Sequence, residues 1–261
     1  MNYEELEIEK EGAVVTVSLN RPEVHNAMNE KLMRELTDFF KEKQDDESIR
    51  TVVLTGKGKS FCAGADLNWM KSMVDFTKEE NVRDSRLLLD LYEAICNYPK
   101  PVIARVNGHA FGGGIGLISV CDINIAVEDK KFSFSEVKIG ITPSVISTFV
   151  IRRIGVADAK RLFITGERFT SRHAKEIGLV DFVVPADELD TLVDQHIGEI
   201  LSGGPKAIQE SKNLANQYLK MDEEDYKEFT VQKISELRIA DEGQEGITAF
   251  LEKRKPKWKD D

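Results

Sequence analysis

Three segments of this 261-residue chain carry residue types suited to chemistry on a polarised carbonyl. The first is the loop Gly56-Lys57-Gly58-Lys59-Ser60-Phe61-Cys62-Ala63-Gly64-Ala65-Asp66. The second is Gly112-Gly113-Gly114-Ile115-Gly116. Each follows a strand-like run and leads into a helix-like one, near Asp66–Val74 and Gly113–Val120. Glycine and alanine let a ligand come close to main-chain N–H groups. The N–H groups at a helix start are unpaired within the helix and carry partial positive charge. Two such starts facing one point would make an oxyanion hole. Two tight turns that only permit close packing fit the same residues. The third segment, Phe132-Ser133-Phe134-Ser135-Glu136-Val137, sets a carboxylate among apolar and small residues. Desolvation there would raise the pKa of Glu136 and suit it to proton transfer.

Several other chemistries are excluded by spacing. Gly58-Lys59-Ser60 lacks the glycine that a phosphate loop needs five positions earlier, because Val53 stands there. A dinucleotide fingerprint opening at Gly112 would need a glycine where Leu117 stands. There is no Gly-x-Ser-x-Gly elbow and no HExxH pair. His25, His109, His173 and His196 are scattered and read as structural histidines. Cys62, Cys96 and Cys121 form no CxxC pair. They read as free thiols of a reducing compartment, not as disulfides or a zinc site.

The elements that must position these residues follow from periodicity. β-branched runs predict strands at Val14–Leu19, Thr51–Thr55, Val102–Val106 and Ile123–Val127. Asn29 is placed to cap a helix whose Leu32, Met33, Leu36, Phe39 and Phe40 share one face, ending near Gln44. A second helix is expected from about Lys78 to Asn97. Strands alternating with helices point to an α/β core with mostly parallel strands. From about Glu188 the pattern turns helical: Leu189–Leu201, Pro205–Gln217, Glu224–Ala240 and a short helix near Ile247–Leu251. The expected division is therefore a core over 1–195, holding both loops, and a helical region over 196–261.

Composition bounds the partners. The 46 acidic and 36 basic residues leave a net charge of −10, with 41% hydrophobic residues, as in ordinary globular chains. That balance argues against a nucleic-acid partner. No apolar stretch approaches the roughly 20 residues that span a bilayer. The start, Met1-Asn2-Tyr3-Glu4-Glu5, is acidic with no apolar run after it and reads as neither a secretory signal nor a transit peptide. A cytoplasmic location is expected. The basic end, Lys253-Arg254-Lys255-Pro256-Lys257-Trp258-Lys259, is either a solvated tail or a site for phosphates.

Taken together, Ser60-Phe61-Cys62-Ala63-Gly64-Ala65-Asp66-Leu67 and Lys100-Pro101-Val102-Ile103-Ala104-Arg105-Val106-Asn107-Gly108-His109-Ala110-Phe111-Gly112-Gly113-Gly114 resemble the two signature loops of the crotonase superfamily, the enoyl-CoA hydratases and isomerases. Supporting matches run along nearly the whole chain: Leu19-Asn20-Arg21-Pro22, Asn26-Ala27-Met28-Asn29, Ala174-Lys175-Glu176-Ile177-Gly178-Leu179-Val180 and Ala249-Phe250-Leu251-Glu252-Lys253-Arg254. The resemblance implies an α/β core of repeated β-β-α turns, a helical C-terminal region, and a homotrimer or a hexamer built as a dimer of trimers. It implies an acyl-CoA thioester as substrate, with coenzyme A part of that substrate and no separate cofactor or metal. The N–H groups of Ala65 and Gly113 would hold the thioester oxygen. Ala63, Gly64, Ala65, Asp66 and Leu67, with Ala27, would contact adenine and pantetheine. Phe250 and Lys253 would reach coenzyme A, often that of a neighbouring subunit.

One departure bears on the reaction. Common hydratases of the family carry two glutamates around one water. Glu136 matches the second; the first belongs two residues after the glycine triplet, where Gly116 stands. Ala65-Asp66-Leu67-Asn68-Trp69-Met70, Ser135-Glu136-Val137-Lys138-Ile139-Gly140 and Pro143-Ser144-Val145-Ile146-Ser147 look most like the methylglutaconyl-CoA hydratase branch of leucine degradation. The implied activity is that of a hydro-lyase adding water to an enoyl-CoA. The alternatives are a single-glutamate double-bond isomerase, or an acyl-CoA-binding paralogue without activity. Gly116 is expected to leave space beside the acyl group and to remove a charge that would repel an acidic substrate.

Overall fold

A computed structural model describes residues 3–259. Met1, Asn2, Asp260 and Asp261, at the outer ends of the two expected regions, lie outside the described residues. The chain opens with a hairpin of β1 (Leu6–Glu11) and β2 (Val14–Leu19). Helix α1 (Glu30–Glu42) starts at Asn29, whose side chain accepts the Leu32 N–H at 2.8 Å. Its Leu32, Met33, Leu36, Phe39 and Phe40 are buried, as their spacing predicts.

Three β-β-α turns follow. The first comprises β3 (Thr51–Gly56), β4 (Ser60–Cys62), α2 (Leu67–Ser72) and α3 (Lys78–Cys96). The second comprises β5 (Val102–Val106), β6 (His109–Phe111) and α4 (Gly113–Val120). The third comprises β7 (Ile123–Val127), β8 (Lys131–Ser133) and α5 (Ser144–Thr165), the last broken at Gly155, where φ is 76°. After these come β9 (Phe169–Thr170), α6 (Ser171–Glu176) and β10 (Phe182–Val184), and then α7 (Leu189–Ser202), α8 (Pro205–Tyr218), α9 (Glu223–Ile239) and α10 (Asp241–Leu251).

Each turn gives one strand to each of two sheets. The larger sheet has the order β1-β2-β3-β5-β7-β10 and is parallel except for the β1–β2 pair. The smaller has the order β4-β6-β8-β9, with β4, β6 and β8 parallel. The large sheet is covered on both faces. Val52, Leu54, Val102, Ala104 and Val106 join the main core with the buried faces of α1 and α3. The alternate residues Val53, Ile103, Ile125 and Val127 pack under Leu189, Val193 and Ile200 of α7. Two-sided burial is why these strands read as unbroken apolar runs in the sequence.

The expected division at 195/196 falls inside α7, a single helix lying on the sheet. Helix α8 docks on the same chain's core. The Lys212 ammonium lies 2.6 Å from the Asp122 carboxylate and also donates to the Lys100 carbonyl at 3.1 Å. Among the described residues, no helix is long and apolar enough to cross a membrane.

Candidate active site

Strands β4, β6 and β8 run side by side in one direction, so their C-terminal ends share one edge. The chain leaves β4 into Ala63-Gly64-Ala65, leaves β6 into Gly112-Gly113, and leaves β8 towards Glu136. The three segments singled out by residue type thus emerge together. Ligands of open α/β sheets gather at this edge, beyond the carboxyl ends of the strands.

The first loop is fixed by backbone pairing. The Met28 N–H donates to Gly64 O at 2.7 Å and the Asp66 N–H to Met28 O at 2.8 Å. These bonds flank Ala65, whose own N–H finds no protein acceptor among the described residues. Asp66 caps α2, accepting the N–H groups of Asn68 and Trp69 at 2.7 and 3.2 Å. Its other oxygen meets Arg21 at 2.9 Å. Burial alone would raise the Asp66 carboxyl, but these amides and the Arg21 guanidinium together hold it below its usual value. Arg21 also donates to the Ala27 carbonyl, tying Ala27 to the same loop. The preceding His25 and Asn26 are both left-handed (φ 56°). The buried Asn26 side chain accommodates this by accepting the Arg21 N–H and donating to Lys57 O and Ser60 O.

The second loop turns sharply at Gly112, with φ 48°, before α4 begins. The Gly113 N–H sits in the first turn of α4 and likewise donates to no protein group among the described residues. The loops are stacked closely: a Cβ on Gly64 would lie 2.9 Å from Phe111 O, and one on Gly114 would lie 2.5 Å from Cys62 O. Close packing and amides without a protein acceptor among the described residues therefore occur together in these loops.

Glu136 lies against the second loop. A Cβ on Gly112 would lie 3.1 Å from Glu136 Oε1, so the carboxylate rests against the start of α4. Its Oε2 is buried without a hydrogen-bond partner among the described residues. Burial pushes the Glu136 pKa up, only partly offset by its own amide. A carboxylate of raised pKa beside the free Gly113 N–H can take and return a proton while an adjacent oxyanion is held.

Gly116 is the correction. It leaves no space: a Cβ there would lie 2.7 Å from Ile146 Cγ2 and 2.7 Å from both Cζ and Oη of Tyr92. Those two side chains fill the volume that the glycine vacates. Tyr92 is fully buried on α3 and donates to Gly113 O at 2.9 Å. Sequence reasoning missed it. The available signal was a polar-tipped ring on the apolar stripe of Leu88, Leu91 and Ile95.

The remaining site residues fall in two groups. Ala27 is buried, Ala63 half-buried, and Ala65 and Leu67 exposed, all around the first loop. Phe250 is 80% exposed and Lys253 is exposed at the end of α10, which packs on α8 and α9. The single chain does not bring these two to Glu136. In the basic end, Arg254 is engaged by Glu245 at 2.6 and 2.9 Å and by Glu252 at 2.8 Å. The histidines hold structural contacts, as in the His109 ring nitrogen accepting the Lys131 N–H at 2.9 Å.

Comparison with known proteins identifies the family to which this fold belongs. The enoyl-CoA hydratase/isomerase family profile matches residues 9–261. A crotonyl-CoA hydratase of Syntrophomonas wolfei is 37% identical, over 98% of each chain. A solved enoyl-CoA hydratase of Shewanella pealeana superposes with a TM-score of 0.93 at 35% identity, covering 98% of this chain and 96% of its own. The solved Pseudomonas aeruginosa AtuE gives 0.95 at 34% identity, covering 98% of this chain and all of its own. The chain belongs to the enoyl-CoA hydratase/isomerase family.

Proposed function

We propose that this protein is an enoyl-CoA hydratase, a hydro-lyase that adds water across the α,β double bond of an enoyl-CoA thioester. The observation that carries the reading is the seating of the Glu136 carboxylate against Gly112, beside the free N–H of Gly113. The names of relatives similar over nearly the full chain support it. In this reading the N–H groups of Ala65 and Gly113 hold the thioester oxygen. Glu136 takes a proton from water as the oxygen of that water bonds to the β-carbon. The electron pair of the double bond moves onto the thioester, and Glu136 returns the proton to the α-carbon. Atoms balance without an oxidant or reductant, so coenzyme A enters only as part of the substrate. Each held oxyanion donor contributes about 10²–10³ in rate.

Ala27 and the Ala63–Leu67 loop would line the adenine and pantetheine. Phe250 and Lys253 would act from a neighbouring copy, in a homotrimer or a dimer of trimers. That assembly is supported by the exposed apolar residues Ile239, Phe250 and Leu251 at the ends of α9 and α10. A branched, carboxylated substrate such as methylglutaconyl-CoA fits the motif likeness. It also fits a site with a neutral phenol where a second carboxylate would repel an acidic acyl group. The test is a screen of short, branched and carboxylated enoyl-CoAs, followed by loss of the conjugated-thioester absorbance. Saturable hydration is expected. Conversion of a 3-enoyl-CoA to its conjugated isomer, with no hydration, would instead assign the single glutamate to isomerisation. Binding without turnover of either would make the protein an acyl-CoA binder.

A further inference from the structure

We propose that Tyr92 is a positioning residue for the Gly113 amide, and that its side chain takes the place a residue-116 side chain would need. The proposal rests on the oxyanion role given above to Gly113. The hydroxyl of Tyr92 reaches across from α3 and donates to Gly113 O at 2.9 Å. A Cβ on Gly113 would lie 3.0 Å from that hydroxyl on one side and would collide with Met28 Cε on the other. Gly113 is therefore clasped between Tyr92 and Met28, and Met28 is the residue whose backbone bonds flank Ala65. One clasp thus fixes both free N–H groups, and no side chain at 113 could enter it.

The ring of Tyr92 also stands 2.7 Å from a Cβ built on Gly116, so the phenol and a side chain at 116 exclude each other. A phenylalanine would fill the same volume and pack equally on Phe149, whose ring centroid lies 5.7 Å away. Only the hydroxyl distinguishes the two residues, and its partner is the carbonyl of Gly113, so it holds that residue in place without bonding its N–H. Burial and the nearby Cys62 and Glu136 push the phenol pKa well above its ordinary value, which keeps it a proton donor throughout the working range. A donor preorganised by a locked neighbour acts without reorganisation when charge develops on the substrate.

The experiment compares wild type, Tyr92→Phe and Glu136→Gln by crotonyl-CoA hydration and by the absorbance of a bound conjugated dienoyl-CoA. A hydrogen-bonded thioester oxygen polarises that chromophore and shifts it to longer wavelength. For Tyr92→Phe the expectation is a fall in kcat of about tenfold, KM within about twofold, and a smaller spectral shift. Wild-type kcat with an undiminished shift in Tyr92→Phe would overturn the proposal. Should that variant fail to fold, 3-fluorotyrosine at position 92 keeps the fold and strengthens the donor. A spectral shift different from that of wild type is then expected, because a tighter hold on the Gly113 carbonyl moves the residue that bears the N–H, and an unchanged one overturns the proposal. A wild type that hydrates crotonyl-CoA and loses this in Glu136→Gln upholds the function whatever Tyr92 does. A wild type that neither hydrates nor shifts the chromophore overturns function and proposal together.

Discussion

Glu136 holds a buried, unpartnered carboxylate oxygen beside the start of a helix, and that placement has a stability consequence. Its pKa is raised in the folded chain, so the ionised form is disfavoured by folding. Wild type should gain stability as pH falls through the raised Glu136 pKa, because the folded state takes up the proton first. Glu136→Gln lacks this step and should be more stable at neutral pH by about 1 kcal/mol, the scale of one unsatisfied buried group. Urea unfolding at several pH values checks this: the gap should close towards acid, and a pH-independent gap would count against it. At Gly116 the expected outcome is the reverse of a gain in function. Gly116→Glu must displace Tyr92 and Ile146 and bury a second carboxylate. Overpacking alone costs about 1–3 kcal/mol, so the unfolding midpoint should drop sharply. A folded, stable Gly116→Glu protein would show that the helix can shift to make room. Residue types pointed to the two glycine-rich loops and to Glu136 as segments of interest, while the choice of the Ala65 and Gly113 amides came from the family resemblance. The filling of Gly116 was not legible, because it depends on a ring from α3, far off in sequence.

At the scale of elements, three short parallel strands set the site. Each of β4, β6 and β8 is three residues long, too short for periodicity to register, and β4 lies within a glycine-rich loop. The long strands of the larger sheet were legible as β-branched apolar runs, and α1 by the helical spacing of its buried face. Strand β1 escaped because its exposed positions are charged. Helix α5 escaped because Gly155 breaks it and its apolar residues form no single stripe. The joint that matters most is the turn from β6 into α4. Gly112→Ala would force a side chain into a left-handed residue, costing about 1–2 kcal/mol, and would press on Glu136 Oε1. Hydration should fall by more than about tenfold with far-ultraviolet circular dichroism unchanged. Wild-type turnover in Gly112→Ala would mean that the carboxylate need not sit against this turn.

Across the whole molecule, the C-terminal helices both join the core and present an uncovered surface. The Lys212–Asp122 pair fastens α8 to the sheet, while Ile239, Phe250 and Leu251 stand 80%, 80% and 72% exposed. Exposed apolar residues of this kind are what the proposed homo-oligomer would cover. If the proposed oligomer forms through this surface, removal of residues from Ile247 onward should dissociate it and weaken acyl-CoA binding. Light scattering and titration with a CoA thioester read both. A truncated protein that stays assembled with unchanged affinity would place the interface elsewhere. Helical spacing revealed these helices, whereas the exposure of Phe250 follows from how α10 packs on α8 and α9, which spacing does not encode.

The most direct test of the central claim is turnover of Glu136→Gln on crotonyl-CoA, with binding of the CoA thioester measured in parallel. Acid–base catalysis by one positioned group is worth about 10²–10⁴ in rate. The expected result is a fall in kcat of at least about 10² with affinity retained. Turnover close to wild type would contradict the assignment of both proton transfers to Glu136.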